Sequence, residues 1–169
     1  MSWRWRSKRS VVINRLFPRQ IDNRFEGHRS ALWLLGLLVA LKLVIGLNSV
    51  FNTRAVASGA DGILLDGFDA ATAQQMLTLF ALNAFGQLAF ALVALVALVR
   101  WRALVPFLFL VWFAEQIGRR FIVAAHNSPG TESSPVAWYV TSAMLGLLAA
   151  GLFLSLTGSK TGGRVTTVS

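Results

Sequence analysis

The sequence predicts an all-α protein, a bundle of four transmembrane helices. Both termini lie on the cytoplasmic side, with a basic interfacial arm at the N-terminus. Three observations lead there. The 169-residue chain is 55% hydrophobic and only 14% charged, where a soluble domain carries about 25% charged residues. Four separate stretches are each long and apolar enough for a bilayer core, which takes roughly 20 residues of helix. The basic residues gather beside those stretches instead of spreading over a folded face, so the net charge of +9 does not read as a nucleic-acid surface.

Residues 1–30 form the arm. Trp3, Arg4, Trp5, Arg6, Lys8 and Arg9 interleave indoles with cations. Indoles favour the headgroup layer and cations favour anionic lipid, so these six read as a membrane-surface anchor. Val11 to Phe17 is long enough for a short interfacial helix, stopped by Pro18.

The membrane domain, residues 31–157, holds spans at about 31–51, 75–99, 103–125 and 136–156. The first apolar stretch is longer than the core of a cleaved signal peptide and starts only at residue 31. It therefore reads as a span, although Ala55-Val56-Ala57 resembles a cleavage site. The loop after span 1 carries two Asp-Gly turn signals, and Asp69 suits the N-cap of span 2. The 126–135 loop carries Pro129-Gly130 and Pro135 and reads as a turn. The tail, 158–169, is rich in Gly, Ser and Thr and reads as flexible.

Orientation follows from basic residues near the spans. Residues 1–30 carry eight Arg/Lys against Asp22 and Glu26. The 52–74 loop carries Arg54 against Asp61, Asp66 and Asp69. Arg100 and Arg102 flank the next turn, and Lys160 and Arg164 follow span 4. This alternation places both termini inside, in a bacterial inner membrane. Arg119 and Arg120, near the outer end of span 3, dissent.

Ionisable groups inside a span need partners or a watery cavity. Counted from the inner end, Lys42 lies eleven residues into span 1, while Gln87 and Glu115 lie twelve residues into spans 2 and 3. At about 1.5 Å per residue these three share one depth. The expected arrangement is a Lys42–Glu115 ion pair, hydrogen-bonded by Gln87. Asn83, Arg119, Thr141 and Ser142 form a second layer farther out, with Gln116 and Arg120 on an adjacent stripe. Lys42 shares a face with Gly46 and Ser49, Gln87 with Ala91 and Ala94, and Ser142 with Gly146 and Ala149. Such polar and small faces pack together in membrane bundles. The surplus cations Arg119 and Arg120 leave room for an acidic ligand, or for the acidic loop to fold over them.

The candidate site is therefore Lys42, Asn83, Gln87, Glu115, Gln116, Arg119, Arg120 and Ser142. It contains no nucleophile–base set. The chain has no cysteine, and His28 and His126 fall at opposite membrane faces, so no metal, haem or other cofactor is expected. The reading is a non-enzymatic accessory subunit or partner-binding module. Its partners are the bilayer with its anionic lipids and a membrane protein or second copy, not nucleic acid. The alternative is binding, sensing or carriage of a small acidic amphiphile. A membrane enzyme acting on a lipid-soluble substrate comes third.

Several stretches carry a resemblance. Asp22-Asn23-Arg24-Phe25-Glu26-Gly27-His28-Arg29 before Ala31-Leu32-Trp33 is one. Leu47-Asn48-Ser49-Val50-Phe51-Asn52 with Ala60-Asp61-Gly62 and Leu65-Asp66 is another, and Arg100-Trp101-Arg102 before Pro106 and Glu115 a third. Together they resemble an uncharacterised family of small four-helix inner-membrane proteins of Gram-negative bacteria. The resemblance covers most of the chain and implies a fold and a location but no activity. A looser likeness to DoxX-type proteins is one of architecture alone.

Overall fold

The computed structural model describes residues 12–59, 65–126 and 135–157. The anchor residues Trp3 to Arg9, Asp61, most of the 126–135 loop and the tail lie outside them. The described residues are mostly helical, with no strand among them. Five α-helices follow in order: α1 Arg29–Phe51, α2 Thr53–Gly59, α3 Ala70–Arg100, α4 Val105–His126 and α5 Pro135–Leu156. The stretch 12–16 is a short helical turn.

Three of these helices are long and apolar enough to cross a membrane: Arg29–Phe51, Ala70–Arg100 and, within α5, Trp138–Leu156. This is the make-up of a membrane protein. The surface agrees, since Trp33, Phe51, Phe85 and Phe153 each stand more than 60% exposed, which water would penalise and lipid would not. The helix α4 has 22 residues, but any stretch of it long enough to cross contains all of Glu115, Arg119 and Arg120.

The helix limits have local causes. His28 caps α1, its ring accepting from the Ser30 amide. Asp69 caps α3, as its sequence position suggests, and so α3 begins at Ala70, five residues before the expected start. One Asp69 carboxylate oxygen accepts from the Ala71 and Thr72 amides, both at 3.0 Å, and the other accepts from the Thr72 hydroxyl at 2.6 Å. The hydroxyl bond first, and then the Thr72 amide, hold this carboxyl below the ordinary carboxylate value. A depressed value in the folded state means that the cap is present above the ordinary carboxylate range and lost as pH falls through the folded value. Amide exchange at Ala71 and Thr72 should therefore rise with acidification, beyond the intrinsic rate change. Asp69→Asn, which caps without titrating, should remove that extra rise. An identical pH response in both proteins would refute the cap's titration.

The long helices pack in a ring. The helix α1 lies along α3 and also touches α5, and α5 lies along α4, while α3 and α4 barely meet. The dry core sits at the end that carries the Trp101 turn. Leu35, Leu38 and Val39 of α1 pack there with Ala94 and Ala97 of α3, Phe109 and Trp112 of α4, and Met144 and Leu148 of α5. The buried alanines of α3 include Ala91 and Ala94, and the buried residues of the Lys42 face include Gly46 and Ser49, as the stripes suggest. On α5 the expectation fails. Its inward face runs Met144, Leu148, Gly151 and Ser155, while Gly146 and Ala149 face outward. The spacing of four, three and four residues brings the bulky Met144 and Leu148 inward and places Gly151 under the Phe109 ring.

The segment before α1 closes the same end. The Arg15 guanidinium donates to the Leu156 carbonyl at 2.6 Å, and it lies 3.6 Å from Glu26. The Ala103 amide donates to the Asp22 carbonyl, and Phe17 meets Phe107 with ring centroids 5.7 Å apart. Opposite this sealed base, α2 and the turn Leu65–Gly67 sit over the other end, with Ala57 and Leu65 buried.

Candidate functional site

The sequence places polar groups at one depth on several helices, and the structure joins them into a network around the ring. Lys42 on α1 donates to the Gln87 side-chain oxygen on α3 at 2.6 Å. An ammonium only donates, so Gln87 must present its carbonyl. Arg119 on α4 donates to Asn83 on α3 at 3.0 Å, and Arg120 donates to Ser142 on α5 at 2.9 Å. Each of these bonds crosses between two helices.

The expected Lys42–Glu115 ion pair is not formed. Glu115 pairs with Arg119 one turn along its own helix and accepts from Gln116 at 2.8 Å. The reason is proximity. Residues four apart share a helix face, so Arg119 needs no interhelical reach, while Lys42 finds Gln87 nearer. Nor do the described acidic residues of the loop close over the arginines. Among the described residues Asp69 is spent on its cap, and Asp66 makes no contact with Arg119 or Arg120. Thr141 donates to the Trp138 carbonyl and lines a cavity.

Two cavities share the polar layer. The first, of 330 Å³, lies between α1, α3 and α4. Lys42, Asn83, Gln87, Glu115 and Arg119 form its polar part, and Phe90, Val111 and Trp112 its apolar part. The second, of 590 Å³, extends towards α2 and reaches Asn48, Ser49, Val56 and Gly59. It shares Lys42, Asn83, Gln87 and Arg119 with the first. Below them the base is shut, with Trp112 only 3% exposed and edge-on to Phe90 at 5.6 Å between centroids. The arrangement is a dead-ended pocket rather than a pore.

The charges in the smaller cavity are Lys42 and Arg119 against Glu115. Glu115 forms its ion pair with Arg119, so the side chain that hydrogen-bonds Lys42 is the neutral Gln87. Inside a low-dielectric wall an ammonium is better stabilised by an anion than by an amide. Gly86, Phe90, Val111 and Trp112 were missed as site residues. Their signal was the helical spacing of Asn83, Gly86 and Phe90 on one wall, and of Trp112, Glu115 and Arg119 on the other. His28 and His126 stand at opposite ends of the ring, the latter bonded to the Ile122 carbonyl. No family model, curated protein or solved structure matches the chain significantly.

Proposed function

We propose that this chain is an inner-membrane protein of four spans, both ends inside, that holds the acidic head of a small amphiphile around Lys42. Internal pairing supports α4 as a span too, the third in chain order. Glu115 and Arg119 cancel, and Arg120 has Ser142, so the cost of burying three charges falls well below that of three isolated ones. The observation that carries the binding reading is Lys42 in a cavity with Gln87 as its hydrogen-bond partner, while the nearby carboxylate forms its ion pair with Arg119. The second cavity would give a charged head access to water from the α2 end.

An accessory or partner-binding role is the second reading. It is favoured by the seam where α3 and α4 barely touch, flanked by Leu82, Phe85, Phe121 and Ile122, all more than 60% exposed. One experiment separates the two. Native mass spectrometry of the protein purified in mild detergent should show the chain with an acidic lipid of the host membrane retained, and Lys42→Gln should lose it. A second polypeptide in the spectrum, with no lipid retained, would reverse the order of the two readings.

A further inference from the structure

We infer that the pocket admits a single-chain acidic amphiphile sideways from the bilayer, between α3 and α4, with its head at Lys42 and its tail against Phe90 and Trp112. This rests on the binding reading above and adds the ligand's class, entry and orientation.

The ring of helices has one weak seam, between α3 and α4, and the smaller cavity lies between those two walls. The seam faces hydrocarbon, so what enters there arrives from lipid and must be largely apolar. The cavity is graded along its length. Lys42 and Asn83 stand at its α2 end, and Phe90, one turn from Gln87 towards the base, stands at the other. A molecule with its polar head towards α2 and its tail towards the base matches that gradient. At 330 Å³ the cavity lies at the small end of ligand pockets, which run roughly 300–1,000 Å³. The Phe90–Trp112 contact closes its floor, which favours one chain over two.

Gly86 stands at the seam. It lines the cavity, and a Cβ added there would meet nothing within 4 Å. A larger side chain at this position therefore starts in open space at the entrance. Gly146 on α5 is equally open but lines neither cavity, and so serves as the matched control.

The test uses the full chain in detergent, with palmitate, hexadecanol, a lysophosphatidic acid and a two-chain phosphatidic acid as probes, read by native mass spectrometry. One palmitate should be retained per chain, at least about tenfold above hexadecanol, the scale of a charge-assisted hydrogen bond. The lysophosphatidic acid arm shows whether a carboxylate or a phosphate head is preferred, and retention of either above hexadecanol supports the inference. Gly86→Leu should lose retention by a similar factor, and Gly146→Leu should keep it. A measurement independent of Gly86 uses palmitate brominated along its tail, which should quench more fluorescence in the unmodified chain than in Trp112→Phe. Equal quenching would overturn the tail's placement. Equal retention of phosphatidic acid would overturn the single chain. Loss of binding in Lys42→Gln with full binding in Gly86→Leu would overturn sideways entry alone. Equal palmitate and hexadecanol retention, with Lys42→Gln silent, would overturn the binding reading itself.

Discussion

Gly151→Leu should prevent α4 and α5 from closing and yield no stably folded protein in detergent. An added Cβ at this position falls within the space of the Phe109 ring. Phe109 is completely buried, so the ring has nowhere to swing. Even Gly151→Ala sets two effects against each other. Alanine gains about 1 kcal/mol of helix propensity over glycine, while overpacking a tight core costs about 1–3 kcal/mol. The clash involves a rigid ring rather than the end of a flexible chain, so overpacking should win and the unfolding midpoint should drop. Phe109→Leu added to Gly151→Ala should recover much of the loss, because it withdraws the ring atoms in conflict. Gly146→Ala makes the opposite prediction. That site is open, so only the propensity gain remains and the midpoint should rise. If both alanine changes shift the midpoint in the same direction, the Phe109–Gly151 contact does not limit packing.

Glu115→Ala should be the most damaging change within the polar layer. It leaves Arg119 with Asn83 alone, and an uncompensated Arg at the centre of a span costs about 2.5–3.5 kcal/mol on insertion scales. Both partners are more than a third exposed, so solvent and relaxation reduce this to about 1–2 kcal/mol. The double change Glu115→Leu with Arg119→Leu removes both charges and should return near the starting stability, measured by unfolding midpoint and membrane yield. The pairing decides a further outcome. Were Lys42 the partner of Glu115, exchanging the two residues would restore the bundle. With Arg119 as the partner, the exchange sets a lysine beside Arg119 and should remain as unstable as Glu115→Ala. Rescue by the exchange would return the ion pair to Lys42.

Much of the architecture was legible in the chain because hydrocarbon imposes simple rules on it. A helix must be long and apolar enough to span, and its polar groups must be placed where partners or water reach them. Length and composition alone give Arg29–Phe51, Ala70–Arg100 and Trp138–Leu156 as membrane-length helices. Counting rise per residue puts Lys42, Gln87 and Glu115 at one depth, and in the structure all three line one cavity. Asp69 as a cap was equally readable, since a cap is a local event within four residues. Pairing was not readable. Depth narrows the candidates to a layer, but helix rotation decides which neighbour wins, and rotation depends on packing at the base of the ring. There Phe109 fits against Gly151, and Met144 and Leu148 turn the last helix inward. That rotation sets Gly146 and Ala149 outward and brings Ser142 to Arg120. The void is likewise a tertiary property. A sequence lists the side chains that are present, whereas a cavity is what remains once one end packs tightly and α3 and α4 fail to meet at the other. The sequence by itself therefore determined that three of these helices are long and apolar enough to cross a membrane, and that the polar groups fall in a common layer. Only the tertiary structure decided that Glu115 goes to Arg119, and that Lys42 is left facing a space.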